Sequence, residues 1–276
     1  MIGRTNINGG IKMYTVTFDS NGGTEVALQQ IVEGYTVKQP DAPTKEGYVL
    51  RYWALNGVEY DFDTAVTDNI TLVAVWRRAV LPSGYTEIEY LEGTGPQYIN
   101  TGIKFSAGYT VRFKFADPGV ADSPNYFGSM ESTNKNRFRF SKHQGMFVAS
   151  LLNSTDFYSF HSTPLISNTP YEVELCAKVG EQYCVVDGVR IYNDTITSLG
   201  TASYTTHIFG INNNGTHNTS AMRLYYMQIQ KDDVLIRNYI PALRDSDNVA
   251  GLYDTVNNVF YDNDGTGSFT TGPVVL

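Results

Sequence analysis

Three carboxylates fall within six residues in Glu87-Ile-Glu89-Tyr-Leu-Glu92. Two carboxyl groups flanking a sugar linkage serve as nucleophile and acid/base in glycoside hydrolysis, so one strand presenting all three would be a candidate active site. The plainer reading puts Glu87 and Glu89 outward and Ile88 and Tyr90 inward, on an exposed strand closed by the Gly93-Thr-Gly95 turn. No tryptophan follows residue 76 to form a sugar platform beside it, and the plainer reading is preferred. His143, His161, His207 and His217 lie among polar residues outside any Gly-x-Ser-x-Gly setting. Asp262-Asn-Asp264-Gly265-Thr-Gly267 is rich in oxygen ligands for calcium but lacks the twelve-residue spacing and distal glutamate of an EF-hand. It reads as a turn whose side chains bond the backbone. No cofactor and no metal ligand set is expected beyond that calcium candidate. Cys176 and Cys184 flank a hairpin turn at 179–182 and are expected as reduced, packed thiols.

The loops of the larger half carry a different chemistry. Asn212-Asn-Asn-Gly-Thr-His-Asn218, Asn134-Lys-Asn-Arg137 and Ser123-Pro-Asn-Tyr126 combine amide donors and acceptors with tyrosine. Sugars offer hydroxyls to the first and apolar ring faces to the second. Tyr126, Arg137, Arg139, Asn212, Asn213, Asn214 and His217 are therefore the candidate carbohydrate-binding residues. Asn and Gly also serve long hairpin loops for purely local reasons.

The elements positioning these groups are strands. Tyr14-Thr-Val-Thr-Phe18, Val111-Arg-Phe-Lys-Phe115 and Tyr171-Glu-Val-Glu-Leu175 alternate apolar and polar residues. Phe138-Arg-Phe140 does the same, with Arg137 and Arg139 outward, and Asp187-Gly188 reads as a two-residue hairpin turn. Arg223–Gln230 reads as one long strand. The fold class expected is all-β in two domains, a small module and a β-sandwich. Over 276 residues the formal charge is −8, charged residues are 17% and aromatics 13%, with 20 Tyr. That aromatic content excludes a disordered polyelectrolyte, and the acidic balance argues against phosphate-neutralising nucleic-acid binding. No apolar stretch reaches the roughly 18 residues of a membrane span, and the first twelve residues lack the apolar run of a signal peptide. Residues 13–77 hold both tryptophans and a net −5, with four Lys/Arg against nine Asp/Glu. Fifteen of the tyrosines follow residue 78. The organisation expected is a stub over 1–12, a module over 13–77, a linker over 78–84 and a larger domain over 85–276.

The strings YTVTFDSNGG, VEGYTV, PTKEGYVLRYW and YDFDTAVTDNITLVAVW occur in that order. Together they resemble the Listeria–Bacteroides repeat, the internalin B-repeat type of β-grasp module, over about 65 residues. The departure is Leu50-Arg51-Tyr52-Trp53, where the family has Phe-x-Gly-Trp. The resemblance implies a spacer or adhesive unit of bacterial surfaces without catalytic residues. LPSGYTEIEYLEGTGPQYINTGIKF and NYIPALRDSDNVAGLYDTVNNVFYDNDGTGSF resemble the two ends of concanavalin-A-like (laminin-G-like) jelly rolls of phage structural and bacterial surface proteins. Jelly-roll glycosidases of the laminarinase type carry Glu-x-Asp-x-x-Glu on one strand; here the central residue is Glu89. MIGRTNINGG resembles the amino-terminal stubs of phage tail-associated proteins, which makes Arg4 and Lys12 anchor candidates. The resemblances imply a virion protein on tail or capsid, displaying a lectin-like domain. Its expected partners are other virion proteins and glycans, with self-association in the particle and neither nucleic acid nor membrane bound. The alternatives are a purely structural decoration subunit, a bacterial cell-surface location, and a glycosidase built on Glu87, Glu89 and Glu92.

Overall fold

A computed structural model describes residues 11–119, 124–131, 136–152 and 165–275. The described chain is all-β, and it divides into two compact units at residues 83 and 84.

The first unit is one mixed sheet. Its strands are β1 (Met13–Asp19), β2 (Gln29–Val32), β3 (Tyr48–Leu55), β4 (Val58–Glu59) and β5 (Ile70–Arg78), in the order β2-β1-β5-β3-β4. The central β1–β5 pair is parallel and its neighbours are antiparallel. The alternation of β1 sends Tyr14, Val16 and Phe18 into a core completed by Trp53, Leu72 and Ala74. Phe18 and Trp53 meet edge to face at 5.0 Å, an arrangement the ring quadrupoles favour. Trp76 packs at the margin and donates its indole N–H to the Ser20 carbonyl at 2.9 Å. A Cβ at Gly23 would stand 2.6 Å from Trp76 Cζ2, so that turn needs glycine for close approach. At the family departure the strand runs on through Leu50-Arg51-Tyr52-Trp53, and a register shift between Leu50 and Tyr52 absorbs Arg51.

The second unit begins with three short strands, β6 (Tyr85–Glu87), β7 (Leu91–Gly93) and β8 (Ile99–Asn100). Four longer ones follow: β9 (Tyr109–Ala116), β10 (Asn125–Met130), β11 (Phe138–His143) and β12 (Met146–Leu151). Next come β13 (Pro170–Lys178), β14 (Glu181–Val186), β15 (Val189–Asp194), β16 (His207–Ile208), β17 (Gly210–Asn213) and β18 (Thr216–Thr219). The last are β19 (Met222–Lys231), β20 (Val234–Arg244), β21 (Val249–Asp254), β22 (Val259–Tyr261) and β23 (Thr270–Thr271). The large sheet runs β15-β14-β13-β9-β19-β20-β21-β22, with β6, β7 and β23 attached; the second runs β12-β11-β10-β17-β18. The sheets meet through a buried aromatic core in which Phe113 and Phe115 of β9 contact Phe140 of β11, each at 5.4 Å between centroids. Each such ring stabilises the sandwich by about 2–3 kcal/mol through burial alone.

Turns follow the chemistry of their residues. Asn56-Gly57, Gln144-Gly145, Asp187-Gly188, Asn214-Gly215 and Asp232-Asp233 each close a two-residue hairpin with both φ positive. This is the type I′ geometry whose twist matches the strands. The expected long loop over 212–218 is therefore corrected to a tight hairpin, because Asn214-Gly215 supplies that turn and the flanking polar residues pair across it. The β13–β14 turn is likewise tighter than expected, closing at Val179-Gly180. In that hairpin Cys184 lies opposite Leu175 and Cys176 opposite Tyr183. The two thiols therefore point to opposite faces of the sheet, and both are free.

Candidate ligand-binding face

The outer face of the large sheet collects what β9, β13, β14 and β19 turn away from the core. Val111, Phe113 and Phe115 point inward, so Arg112 and Lys114 point outward, facing Glu174 and Glu172 of β13. Arg112 grips Glu174 as a fork, Nε to Oε2 and Nη2 to Oε1 both at 3.1 Å. Tyr183 adds a third bond, its hydroxyl donating to Glu174 at 2.6 Å. Burial disfavours the Glu174 carboxylate, but the hydrogen bonds from Arg112 and Tyr183 prevail and hold its pKa below the usual value. Lys114 stands 4.0 Å from Glu172, which also accepts from the Tyr226 hydroxyl. Further along, Arg223 pairs with Glu92 at 3.1 Å and lies over the Tyr90 ring.

Tyrosine shares this face because β19 is irregular. Its partly buried and buried residues alternate up to Leu224, then Tyr225 and Tyr226 fall together outside the core before alternation resumes at Met227. The cause is a β-bulge against β9, seen as a register shift between Leu224 and Tyr226. Tyr225 meets Tyr90 edge-on at 5.5 Å, and Lys114 lies over its ring. A depression of about 490 Å³ opens beside them, lined by Glu87, Glu89, Tyr225, Tyr226, Gln228 and Asn238 among others. Gln228 and Asn238 face each other across β19 and β20, joined by a 3.2 Å amide hydrogen bond.

The proposed acidic strand does not form. Glu87 ends β6, which pairs with β20, whereas Glu92 lies in β7, which pairs with β19. Glu89 falls between them, where its N–H bonds Pro273. The run thus bends from one strand onto the next, and Glu92 is neutralised by Arg223.

The residues chosen for carbohydrate chemistry lie on or beside the neighbouring strands β11, β10, β17 and β18, and they differ in exposure. Tyr126 is fully buried, ringed by Phe115 and Phe140, and Arg137 is 5% exposed, contrary to the outward arginine expected. Arg139 is half-buried and donates to Ser150 Oγ at 3.3 Å. Asn212 is buried, accepting the Gly215 N–H, and faces Ser129 across β10. Asn213 is half-buried; Asn214 and His217 are exposed on the hairpin, with Asn214 accepting the Tyr204 hydroxyl at 2.6 Å. His217 stacks on Tyr98 at 4.4 Å and on buried His207 at 4.9 Å. Lys12 is exposed and pairs with Glu33 of its own unit at 3.1 Å, while Arg4, Ser123, Asn134 and His161 lie outside the described residues.

The Asp/Asn loop has its oxygens engaged. Asp264 accepts the Asn100 N–H, Asn263 accepts those of Tyr98 and Gly265, and Asp262 faces Arg244 at 3.6 Å. Among the described residues no three His, Cys, Asp or Glu side chains group as metal ligands would. A recess of about 810 Å³ beside this loop is lined chiefly by these turns. It lacks the half-buried tyrosine pair of the β19 face.

Residues 14–75 match the Listeria-Bacteroides repeat domain (List_Bact_rpt) family. Two sequences of Evansella cellulosilytica are similar. One, named "Putative membrane protein", is 33% identical over 90 residues, 31% of this chain and 14% of its own length. The other, named "Putative Gly-rich membrane protein", is 34% identical over 70 residues, 24% of this chain and 8% of its own. The chain therefore spans only a small part of either relative. Among solved structures, mouse laminin alpha1 domains LG4-5 align at 14% identity and TM-score 0.38, covering 60% of this chain and 48% of theirs. The NanB sialidase of Streptococcus pneumoniae aligns at 12% and 0.35, covering 54% and 27%. Both likenesses are too distant to bear on function. The expected virion location is corrected by the relatives' names, which point to a cell-associated protein. Among the described residues no helix is long and apolar enough to cross a membrane. The chain thus has a segment similar to the List_Bact_rpt family over residues 14–75, followed by an all-β sandwich.

Proposed function

We propose that the second unit is a glycan-binding domain of a bacterial cell-envelope protein, with the repeat unit as its spacer or adhesive companion. The observation that carries this reading is the bulged β19, which sets Tyr225 and Tyr226 side by side over a depression lined by carboxylate and amide groups. Tyrosine rings stack on the C–H faces of sugars while amides and carboxylates take their hydroxyls. Charge on the face selects among glycans. Arg112, Lys114 and Arg223 are each matched by Glu174, Glu172 and Glu92, and Glu87 and Glu89 lie at the rim. With these three cations compensated and two carboxylates at the rim, neutral polysaccharide is the favoured class. Membrane-protein names among the relatives support an envelope setting.

The test is binding of the purified chain to neutral polymers (β-glucan, mannan, starch) and to uronate-bearing ones. Tyr225→Ala and Tyr226→Ala together weaken neutral-polymer binding by about tenfold or more, since each stacked ring contributes roughly 1 kcal/mol. Asn213→Ala and His217→Ala in the same assay measure any share of the β17–β18 hairpin. A panel on which the wild-type chain binds nothing, or prefers the anionic polymers, refutes the proposal.

A further inference from the structure

We infer that Lys142 and Asp117 form an intramolecular amide cross-link that joins the two sheets of the sandwich. In β11, Phe138, Phe140 and Lys142 share one face, so the alternation that buries two phenylalanines delivers the lysine to the same interior. Asp117 continues the inward row Val111, Phe113, Phe115 one step past the end of β9. The two residues therefore meet between the sheets. Lys142 Nζ lies 2.5 Å from Asp117 Oδ2, with side-chain exposures of 10% and 2%. Lysine normally keeps its ammonium in water by extending its stem; this one ends against a buried carboxylate, on a residue paired in register with buried Phe147.

The surroundings supply what condensation requires. The Gly119 N–H donates to Asp117 Oδ1 at 2.9 Å, which fixes the carboxyl group and polarises it. The Tyr126 hydroxyl is buried and faces the Asp117 carboxyl group. It is close enough that, after burial, the Asp117 charge helps keep it protonated. Away from water an ion pair loses the hydration of both charges. Moving one proton from Nζ to Oδ2 leaves a neutral amine beside a carboxylic acid. The amine lone pair attacks the Asp117 carboxyl carbon, forming the C–N bond. The C–Oδ2 bond then breaks, and that oxygen leaves as water with one proton from the acid and one from the amine. Tyr126 relays the second proton, giving its own to the leaving oxygen and regaining one from nitrogen. Nothing is oxidised or reduced, and one water is the sole by-product.

Intact mass of the purified full chain tests this without any variant. The expected mass is one water, about 18 Da, below that of the sequence. Tandem spectra of a digest should show a branched peptide joining the segments that contain residues 117 and 142. Lys142→Arg and Asp117→Ala should each restore the full mass, and Tyr126→Phe should slow accumulation of the lighter form. A wild-type chain at full mass, with linear peptides covering both positions, overturns the proposal. So does a water loss that mild alkaline hydrolysis reverses, because that marks a succinimide at an Asp-Gly step such as Asp187-Gly188. An unchanged rate in Tyr126→Phe overturns the relay.

Discussion

Acidification should weaken the second unit through one side chain, His207. It is 1% exposed, and neither ring nitrogen has a hydrogen-bond partner. Burial, with His217 adding to it, pushes its pKa down from 6.5 to about 4. The groups facing the ring are His217 and the Tyr98 phenol. Because the folded pKa is the lower one, the unfolded chain takes up a proton that the folded chain refuses. Stability is therefore full above about pH 6.5 and is lost as pH falls towards 4. Between about pH 7.5 and pH 5 the loss comes to about 2 kcal/mol, most of the roughly 3 kcal/mol that the whole shift can yield. Carboxylates stay largely ionised in both states over that window, so the imidazole dominates. The assay is urea unfolding followed by tyrosine near-ultraviolet circular dichroism, since both tryptophans lie in the other unit. His207→Phe keeps an aromatic ring against Tyr98 and removes two buried polar atoms. It should match or exceed the wild type by about 1 kcal/mol at neutral pH and lose less than about 0.5 kcal/mol at pH 5. An equal loss in the variant refutes the assignment.

Trp53→Ala should destabilise the first unit by about 3–5 kcal/mol, read as an early transition in Trp76 fluorescence while the tyrosine signal of the second unit holds. Gly128→Ala should lower the stability of the sandwich by about 3 kcal/mol or more. A Cβ there would stand 2.3 Å from the Phe138 carbonyl at a φ of +143°, and denaturant titration checks the loss. Reductant should leave the melting temperature unchanged, and a membrane-impermeant thiol reagent should label neither Cys176 nor Cys184 until the chain unfolds. Both thiols are buried and face opposite ways, and burial pushes the Cys184 pKa up, away from reactive thiolate.

The alternation of Val111–Phe115 and Tyr171–Leu175 was sufficient to assign both strands and to place Arg112, Lys114, Glu172 and Glu174 outward. That β9 and β13 lie side by side, so that these charges pair, is a long-range fact that periodicity does not carry. The bulge was visible only as a flaw, Leu224-Tyr225-Tyr226-Met227 breaking an otherwise regular pattern. Composition pointed to the Asn-rich runs instead, but Asn214 serves a positive-φ turn and Asn212 the interior. Tyr126 misleads in a related way, since beside Pro124 and Asn125 it reads as a loop residue until β10 is seen to carry it into the core.

The pairing of β7 with β23, Glu92 opposite Thr270, has a kinetic consequence. Strands near the two ends of the second unit complete one another, and β9 finds β19 more than a hundred residues later, as with Arg112 and Gln228. Such non-local closure slows folding. On the ribosome, β9 must wait with an open edge until β19 emerges, while the first unit has every strand it needs once β5 is made. During synthesis the repeat is thus the early-folding part, and the sandwich is the part exposed to proteases and to pairing with neighbouring chains.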